Sequence, residues 1–187
     1  MKVLVACEES QRVCSAFRAL GHEAYSCDII DCSGGRYEWH IKQDVLPLLN
    51  GNCKFTTADG TEHTVSGKWD LIIAHPPCTY LSNAGACRLY PKKGQLDQER
   101  YKKGLQAKAF FMKLYNADCE HIKGLPKLQP TKILSEYKPY VSCGTSKNKG
   151  NKDKAGFSRA GGAAKIRSKT FEGIAAAMAQ QWGGVGV

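Results

Sequence analysis

Cys78 is the residue of this sequence best suited to covalent chemistry. It ends the run His75-Pro76-Pro77-Cys78, which directly follows the short apolar stretch 71–74. Such a stretch is typical of a buried parallel strand, and the two prolines end its hydrogen-bonded ladder because they lack an amide donor. Ligands of open α/β sheets bind beyond the carboxyl ends of the strands, so this position favours a nucleophilic thiol. A structural cysteine buried after a strand explains the pattern equally well, since free cysteine is among the most buried residue types.

Acidic residues at the ends of the first predicted strands favour a nucleotide-type cofactor. Residues 2–7 are predicted to form a strand, Glu8 and Glu9 lie in the turn that opens a helix, and a second strand over residues 22–27 ends at Asp28. In this layout helix amides face the ligand and Asp28 accepts the ribose hydroxyls. Glu8 and Glu9 would repel a pyrophosphate but accept from an ammonium or a ribose, which favours the cationic S-adenosylmethionine over a dinucleotide. Alternatively, both are acids of a helix first turn, stabilised by the helix dipole.

The elements that position these acids alternate between helix and strand. The first helix is expected to end at Gly21, a residue type that commonly follows a helix. A third strand is predicted over residues 39–45, with Asp44 at its end, and a short helical turn follows from about Leu46. The apolar face of the first helix is predicted to consist of Val13, Phe17 and Leu20.

From residue 54 onward, the sequence predicts a hairpin, a fourth strand and two helices. The hairpin joins residues 54–57 to 63–65 around Asp59-Gly60, and the strand covers residues 70–74. Helices are predicted over residues 105–116 and 170–182 from their apolar spacing. The predicted core contacts of the first helix are Leu105, Ala109, Phe110, Met112 and Leu114, and one face of the second helix is predicted to consist of Phe171, Ile174, Met178 and Trp182.

Length, hydropathy and cysteine usage restrict the class of protein. A chain of 187 residues suits one α/β domain, and no apolar run approaches the length of about 18 residues that a membrane span needs. The apolar part of MKVLVACEES is too short for a signal peptide. Nine cysteines without a Cys-x-x-Cys pair favour free thiols in a reducing cytosol over a disulfide framework or a zinc site. We therefore expect a cytoplasmic protein that holds no metal.

Charge is divided unequally along the chain. Residues 1–84 carry 7 Lys and Arg against 10 Asp and Glu, whereas residues 85–187 carry 20 against 7. This asymmetry favours a polyanionic partner for the second part, and we expect DNA; a solvated lysine-rich surface is the alternative. The basic residues predicted to contact DNA are Arg88, Lys92, Lys93, Arg159, Lys165 and Arg167.

Three sequence blocks resemble one enzyme family. VLVACEESQRVCSAFRALGHEAYSCDI, at residues 3–29, is similar to a cofactor-binding strand–helix–strand. DLIIAHPPCTYLS, at residues 70–82, is similar to a Pro-Cys catalytic loop, and RSKTFEGIAAAMAQQWG, at residues 167–183, to a last motif that folds back beside the cofactor. In this order they resemble the small phage and prophage proteins related to DNA cytosine-5 methyltransferases. The first block has Cys-Glu-Glu-Ser where that family has Phe-x-Gly-x-Gly.

The resemblance implies a fold, a cofactor and a reaction. The fold is a Rossmann-like, class I methyltransferase sheet, doubly wound, incomplete at one side and followed by a basic loop-rich C-terminal region. Cys78 is the nucleophile that attacks C6 of a cytosine flipped out of the duplex, so that C5 takes the methyl group of S-adenosylmethionine. A neighbouring cation such as Arg88 is expected to lower the pKa of that thiol, and Asp44 is expected to hold the adenine amino group. The residues implied in cofactor binding are Cys7, Glu8, Glu9, Ser10, Asp28, Ile29, Asp44 and Pro76.

One motif of that family has no counterpart in this chain. The family holds cytosine N3 with the Glu of a Glu-Asn-Val or Glu-Asn-Pro motif on the next strand, whereas this sequence has no Glu-Asn pair and is shortened at residues 120–123. An inactive relative that still binds cofactor or DNA is therefore an alternative. A third hypothesis is methylation of an amino group, N4 of cytosine or N6 of adenine, with His75-Pro76-Pro77-Cys78 in place of an Asp/Asn/Ser-Pro-Pro-aromatic tetrad.

The predicted organisation has three parts. Residues 1–122 form the cofactor-binding and catalytic core, residues 123–169 form a basic loop-rich segment, and residues 170–187 form a helix that packs back on the core. We expect a monomer that acts in the cytoplasm of a bacterial host and is encoded by a phage or prophage.

Overall fold

Four parallel strands form the main sheet of the chain. The computed structural model describes residues 1–82, 88–92, 94–120, 125, 127–129 and 169–184. The strands in chain order are β1 (Lys2–Ala6), β2 (Glu23–Asp28), β3 (His40–Lys42), β4 (Cys53–Thr56), β5 (Glu62–Val65) and β6 (Leu71–Ala74). The sheet has the order β3-β2-β1-β6 with every neighbouring pair parallel, while β4 and β5 form a separate antiparallel hairpin.

Both faces of β1 are buried, which explains its unbroken apolar sequence. Val3 and Val5 belong to the core on one face of the sheet, and Leu4 and Ala6 belong to the core on the other. All four side chains are fully buried. A parallel strand covered on both faces is stabilised by an apolar residue at every position. The chain leaves β1 toward β2 on one side and later returns to β6 on the other, so the strand order reverses at β1.

Two parallel helices cover the face that contains Val3 and Val5. The helices of the described chain are α1 (Arg12–Ala19), α2 (Gln98–Tyr115) and α3 (Glu172–Gly183). Phe17 of α1 and Ala175 and Ala179 of α3 are buried in the same cluster. Small alanine side chains allow the α3 backbone to approach α1 closely, and this pairing closes the first face of the sheet.

The two ends of the α1–α3 contact are fixed by polar and glycine contacts. At the amino ends, the guanidinium of Arg12 donates to the carbonyl of Thr170 at 3.0 Å. At the carboxyl ends, a Cβ placed on Gly183 would lie only 2.5 Å from His22 Nε2 and 3.3 Å from the ring of Phe17. A larger residue at position 183 would therefore push α3 away from α1.

Trp69 lies at the centre of the core on the opposite face of the sheet. Its fully buried side chain packs against the rings of Phe55 and Tyr25, with ring centroids 6.3 Å away in each case. The indole Nε1 donates to the carbonyl of Leu48 at 2.7 Å, so the one polar atom of the side chain is satisfied inside the core. The hairpin and the end of α2, where Leu114 is buried, close this second face.

The fold class predicted from the sequence is confirmed as α/β with a parallel sheet. The hairpin around Asp59-Gly60 and the strand before His75 are present where the sequence predicts them. β3 is shorter than predicted and ends at Lys42, so Asp44 lies two residues beyond it. Apart from residues 125, 127–129 and 169, the predicted basic segment 123–169 lies outside the described residues.

The burial of several apolar side chains differs from the prediction. Leu20 lies beyond the end of α1 and is exposed. α2 begins at Gln98, earlier than predicted, because Asp97 accepts a hydrogen bond from the amide of Arg100 within the charged stretch. This helix contacts the core mainly at its carboxyl end, and α3 packs through alanines. Three residues were wrongly predicted to contact the core and are exposed: Leu105, Ala109 and Met112. Leu20, Phe171 and Ile174, which belong to the predicted helix faces, are also exposed.

Replacing Trp69 should destabilise the fold severely. We expect Trp69→Ala to lower the free energy of unfolding by about 3–5 kcal/mol, because it removes a fully buried indole and leaves a cavity among Phe55, Tyr25 and Leu48. The matched control is Leu105→Ala, which truncates a half-exposed side chain of α2 and should change it by less than about 0.5 kcal/mol. Urea unfolding followed by circular dichroism measures both. Equal losses in the two variants would contradict this description of the core.

Candidate functional site

The carboxyl ends of the four parallel strands bring most predicted cofactor residues to one edge of the sheet. The amide of His75 donates to the carbonyl of Ala6 at 2.9 Å, and the amide of Glu8 donates to the carbonyl of Cys27 at 3.2 Å, so β1 keeps its neighbours up to this edge. The side chains at the strand ends are Cys7, Glu8, Glu9 and Ser10 after β1, Asp28 at the end of β2 and Ile29 after it, Asp44 after β3, and His75 and Pro76 after β6.

Cys7 is held as a neutral thiol at this edge of the sheet. Burial raises the pKa of Cys7 to about 12, with additional contributions from the negative charges of Asp28 and Asp44. The pKa of Cys27, the residue that lies opposite Ala6 in β2, is likewise raised to about 12, mainly by burial. Neither thiol is therefore suited to act as a nucleophile near neutral pH, since the thiolate is the reactive form. The same electrostatic effect indicates that Asp28 and Asp44 both lie near Cys7.

Glu8 is bonded to the amino end of α1. Its carboxylate accepts from the amide of Val13 at 2.7 Å and from the amide of Cys14 at 3.1 Å, and the residue is only 3% exposed. Burial raises the pKa of Glu8 to about 7; the bonds from Val13 and Cys14 oppose this shift and the charge of Glu9 adds to it. Both carboxylate oxygens thus serve the helix, which supports the alternative helix-capping role and not the predicted cofactor contact.

Glu9, the next residue, is also buried, but its carboxylate makes no hydrogen bond within the described structure. It is 9% exposed, and neither of its carboxylate oxygens has a hydrogen-bond partner within the described structure. Only its backbone carbonyl is engaged, by the amide of Ser33 at 2.8 Å. A buried carboxylate without a partner is unfavourable in a folded protein. Glu9 therefore remains a candidate to bind a ligand.

Gln11 fixes the loop that covers this turn, a role that the sequence analysis missed. Its side-chain amide donates to the carbonyl of Arg36 at 2.7 Å and its Oε1 accepts from the amide of Arg36 at 2.9 Å. A Cβ on Gly34 would come within 2.7 Å of the Gln11 side chain, so this close approach requires glycine. This pair of hydrogen bonds between the Gln11 side chain and the Arg36 backbone holds residues 29–36 against the turn after β1.

A buried network of polar side chains also contacts the loop of residues 29–36. His40 is fully buried; its Nδ1 lies 3.0 Å from Ser26 Oγ and its Nε2 lies 2.9 Å from the carbonyl of Ile30. Ser26 in turn is 3.3 Å from the amide nitrogen of the Gln11 side chain. No spacing rule in the sequence identifies these partners, because they meet only when β2 and β3 pair.

Asp28 and Asp44 each use one oxygen to organise their own turn. Asp28 Oδ1 accepts from the amide of Ile30 at 3.3 Å, and Asp44 Oδ1 accepts from the amide of Leu46 at 3.0 Å. Both are local bonds that Asp commonly makes after a strand. Among the described contacts, the second oxygen of each residue has no recorded partner, and it is available to a ligand at the edge of the sheet. Ile29 beside Asp28 exposes 74% of its surface.

Cys78 is exposed at the start of a tight turn after the two prolines. Its carbonyl accepts from the amides of Leu81 at 3.1 Å and Ser82 at 2.9 Å. The cation that contacts this loop is Arg100, which donates to the carbonyl of Thr79 at 3.2 Å and lies 5.0 Å from the ring of Tyr80. The sequence predicts Arg88 as a cation near Cys78; Arg100 was not predicted, because its position depends on the early start of α2.

His75 connects the sheet to this loop. Its Nε2 is buried and has no hydrogen-bond partner within the described structure. Burial lowers the pKa of His75, so the imidazole is neutral near pH 7. A neutral imidazole with an unused nitrogen is able either to donate or to accept one hydrogen bond.

The predicted DNA-contacting residues fall partly within the described structure. Arg88 and Lys92 are exposed in the segment that precedes α2. Lys93, Arg159, Lys165 and Arg167 lie outside the described residues. Among the residues that are described, no cluster of three or more His, Cys, Asp or Glu side chains is arranged to hold a metal ion. None of the helices within those ranges has the length and apolar character needed to cross a membrane.

Comparison with known proteins identified no relative. No protein-family model, no curated protein and no solved structure matches this chain. The assignment of a function therefore depends on the sequence blocks quoted above and on the geometry of the strand ends.

The exposure of Cys78 predicts that alkylating reagents modify it faster than they modify Cys7 and Cys27. At about pH 7.5, we expect iodoacetamide to modify Cys78 at least about tenfold faster than Cys7 or Cys27, because those thiols are less accessible and are held protonated. Peptide mapping by mass spectrometry over time measures each site. Cys78→Ser is the control that identifies the fast site. Modification of Cys7 at the rate of Cys78 would refute the described burial.

The raised pKa of Glu8 predicts a specific dependence of stability on pH. The folded chain binds this proton more tightly than the unfolded chain, whose value is near 4.5. The gain in the free energy of unfolding that comes from binding this proton is fully present below pH 4.5 and is lost as the pH rises through 7. Between pH 4.5 and 8, the wild type should lose about 3 kcal/mol more than Glu8→Gln, which cannot titrate.

Urea unfolding at a series of pH values measures this difference. Glu62→Gln, which replaces an exposed carboxylate of the hairpin, is the matched control and should behave like the wild type. Parallel curves for the wild type and Glu8→Gln would show that the Glu8 proton is not held in the folded state.

Proposed function

We propose that this chain is an S-adenosylmethionine-dependent DNA methyltransferase of Rossmann-like, class I architecture that acts on C5 of cytosine through Cys78. The observation that carries the proposal is the arrangement of the strand ends. Two carboxylates, Asp28 at the end of β2 and Asp44 after β3, share one edge of a parallel sheet with the Pro-Pro-Cys loop after β6. The strand order reverses at β1, and open α/β sheets bind ligands outside the carboxyl ends of their strands at such a point.

The chemistry of the edge fits a cationic nucleoside better than a phosphate-bearing cofactor. The turn after β1 contains Glu8 and Glu9 and no glycine, so it offers no cradle for a pyrophosphate. Asp28 is suited to accept the ribose hydroxyls and Asp44 the adenine amino group, while the exposed side chain of Ile29 offers an apolar surface to the base. When bound, S-adenosylmethionine would supply an electrophilic methyl group on its sulfonium.

Cys78 is the group of this chain proposed to act on the base. Its thiolate would form a bond to C6 of cytosine, which raises the electron density at C5 and allows C5 to take the methyl group. The C5 proton is then lost to a base, and the electrons of that C–H bond release the thiolate from C6. Arg100, which contacts the loop at Thr79 and Tyr80, would hold Cys78 in position and provide positive charge near it.

Access to the base requires DNA with its target nucleotide flipped out. Base flipping is needed because C6 is shielded within the duplex. The excess of Lys and Arg in residues 85–187 favours binding to the phosphate backbone. Arg88 and Lys92, both exposed between the Cys78 loop and α2, are suited to contact that backbone.

A second candidate is a relative that binds the cofactor or DNA without transferring a methyl group. The observation in its favour is the missing Glu-Asn pair, since no carboxylate of that motif is present to stabilise N3 of cytosine. The unpartnered Nε2 of His75 favours a third outcome, methylation of an amino group, because a neutral imidazole is able to accept from the target amine.

A methyl-transfer assay with labelled S-adenosylmethionine and duplex DNA tests these functions together. We expect the wild type to form 5-methylcytosine, identified by mass spectrometry of hydrolysed DNA, and Cys78→Ser to be at least about 100-fold slower because the attacking thiol is lost. Cys53→Ser, which changes a half-buried cysteine of the hairpin, is the control and should retain activity.

Each alternative gives a different result in the same experiment. Equal activity of the wild type and Cys78→Ser would remove Cys78 from the mechanism. A product methylated at N4 or N6 would select amino-group transfer. Calorimetric binding of S-adenosylmethionine without any transfer to DNA would select the non-catalytic relative.

A further inference from the structure

Glu9 is a buried carboxylate whose hydrogen-bonding capacity is unused. It retains 9% of its surface, and neither carboxylate oxygen has a partner within the described structure. The adjacent Glu8 shows the contrast, because its buried oxygens accept from two amides of α1. Removing a carboxylate from water without a compensating bond is costly, and native proteins contain few such groups. The burial of Glu9 therefore requires an explanation that the free protein does not provide.

The position of Glu9 is that of a ligand-binding group. It lies in the turn after β1, at the point where the strand order reverses. On the neighbouring strand, β6, His75 follows at the level of Cys7, and its Nε2 is also buried and unpartnered. Two unsatisfied polar side chains thus follow adjacent strand ends. The carboxyl ends of such strands are where open α/β sheets bind their ligands.

The charge around Glu9 indicates which chemistry would satisfy it. Asp28 and Asp44 belong to the same edge, so the strand ends carry an excess of negative charge. The described cations nearest to Glu9 in the chain are engaged elsewhere: Arg12 donates to the carbonyl of Thr170, and Lys2 donates to the carbonyl of Ser66. The missing partner is therefore a positively charged hydrogen-bond donor that comes from outside these residues.

We infer that Glu9 accepts the α-ammonium group at the amino-acid end of the bound cofactor. This assignment rests on the proposed function, because it takes the nucleoside end to be held by Asp28 and Asp44. The ammonium of the cofactor would contact a carboxylate that is already shielded from water, and a charge-assisted hydrogen bond is strong in such a place. The carboxylate oxygens are closed to solvent, so a rotation of the Glu9 side chain accompanies binding.

Three nucleosides that differ at one end test the assignment by calorimetry. S-adenosylmethionine carries both the ammonium and the carboxylate, its decarboxylated form keeps only the amine, and 5′-methylthioadenosine has neither. We expect Glu9→Gln to weaken binding of the first two by about 10- to 100-fold and to leave binding of 5′-methylthioadenosine within about twofold of the wild type. The control Asp28→Asn should weaken all three, since it acts at the ribose.

The thermal midpoint of the free protein gives an independent measurement. Glu9→Gln removes a buried, unpaired carboxylate while keeping the size of the side chain, so the variant should unfold at a higher temperature than the wild type. This result also shows that the variant is folded when its binding is measured.

The failure of this inference is distinguishable from the failure of the proposed function. If the wild type binds the nucleosides and Glu9→Gln binds S-adenosylmethionine equally well, the ammonium contact is wrong and the proposed function stands. If Glu9→Gln weakens 5′-methylthioadenosine as much as S-adenosylmethionine, Glu9 serves the ribose or the turn instead. If the wild type binds none of the three, both proposals are overturned.

Discussion

The bond between the Glu8 carboxylate and the amino end of α1 determines the shape of the turn on which the site is built. Gln11 occupies the N-cap position of α1 in a left-handed conformation, with φ of 57°, and its side chain does not cap the helix. Glu8 provides that function from three residues earlier by accepting from Val13 and Cys14. An acid at the amino end of a helix is also favoured by the helix dipole. The chain thus forms a turn in which side chains, and not glycines, hold the backbone.

This arrangement frees Gln11 for a second function. Because Glu8 caps the helix, the amide of Gln11 is able to bond to both backbone groups of Arg36 and to hold the loop above the strand ends. Cys7 also has a positive φ, of 59°, in the same turn. Two left-handed residues that are not glycine within five positions are unfavourable locally and persist because the surrounding contacts determine the backbone. Side-chain hydrogen bonds therefore hold the backbone of this turn, where a glycine-rich cofactor turn would use glycines.

The sequence was sufficient to predict the strands but not the partners of their side chains. β1, β2, β6 and the hairpin follow from apolar runs and from Asp59-Gly60, since both signals are local. Burial in the helices was predicted poorly, because Leu105 and Ile174 have helical spacing but remain about half exposed. The roles of Gln11 and Arg100 were not accessible, because each depends on a contact with a backbone group that only the folded chain brings near.

The packing of α3 on α1 has a consequence for the order in which the protein can form during synthesis. β1 and α1 leave the ribosome before the alanines that cover the same face of the sheet, Ala175 and Ala179, which come much later in the chain. Until they emerge, the apolar side chains of Val3 and Val5 lack part of their cover. Contacts between such distant parts of a chain form slowly, and exposed apolar surface promotes aggregation. The nascent chain therefore depends on α3 to bury a surface that β1 exposes.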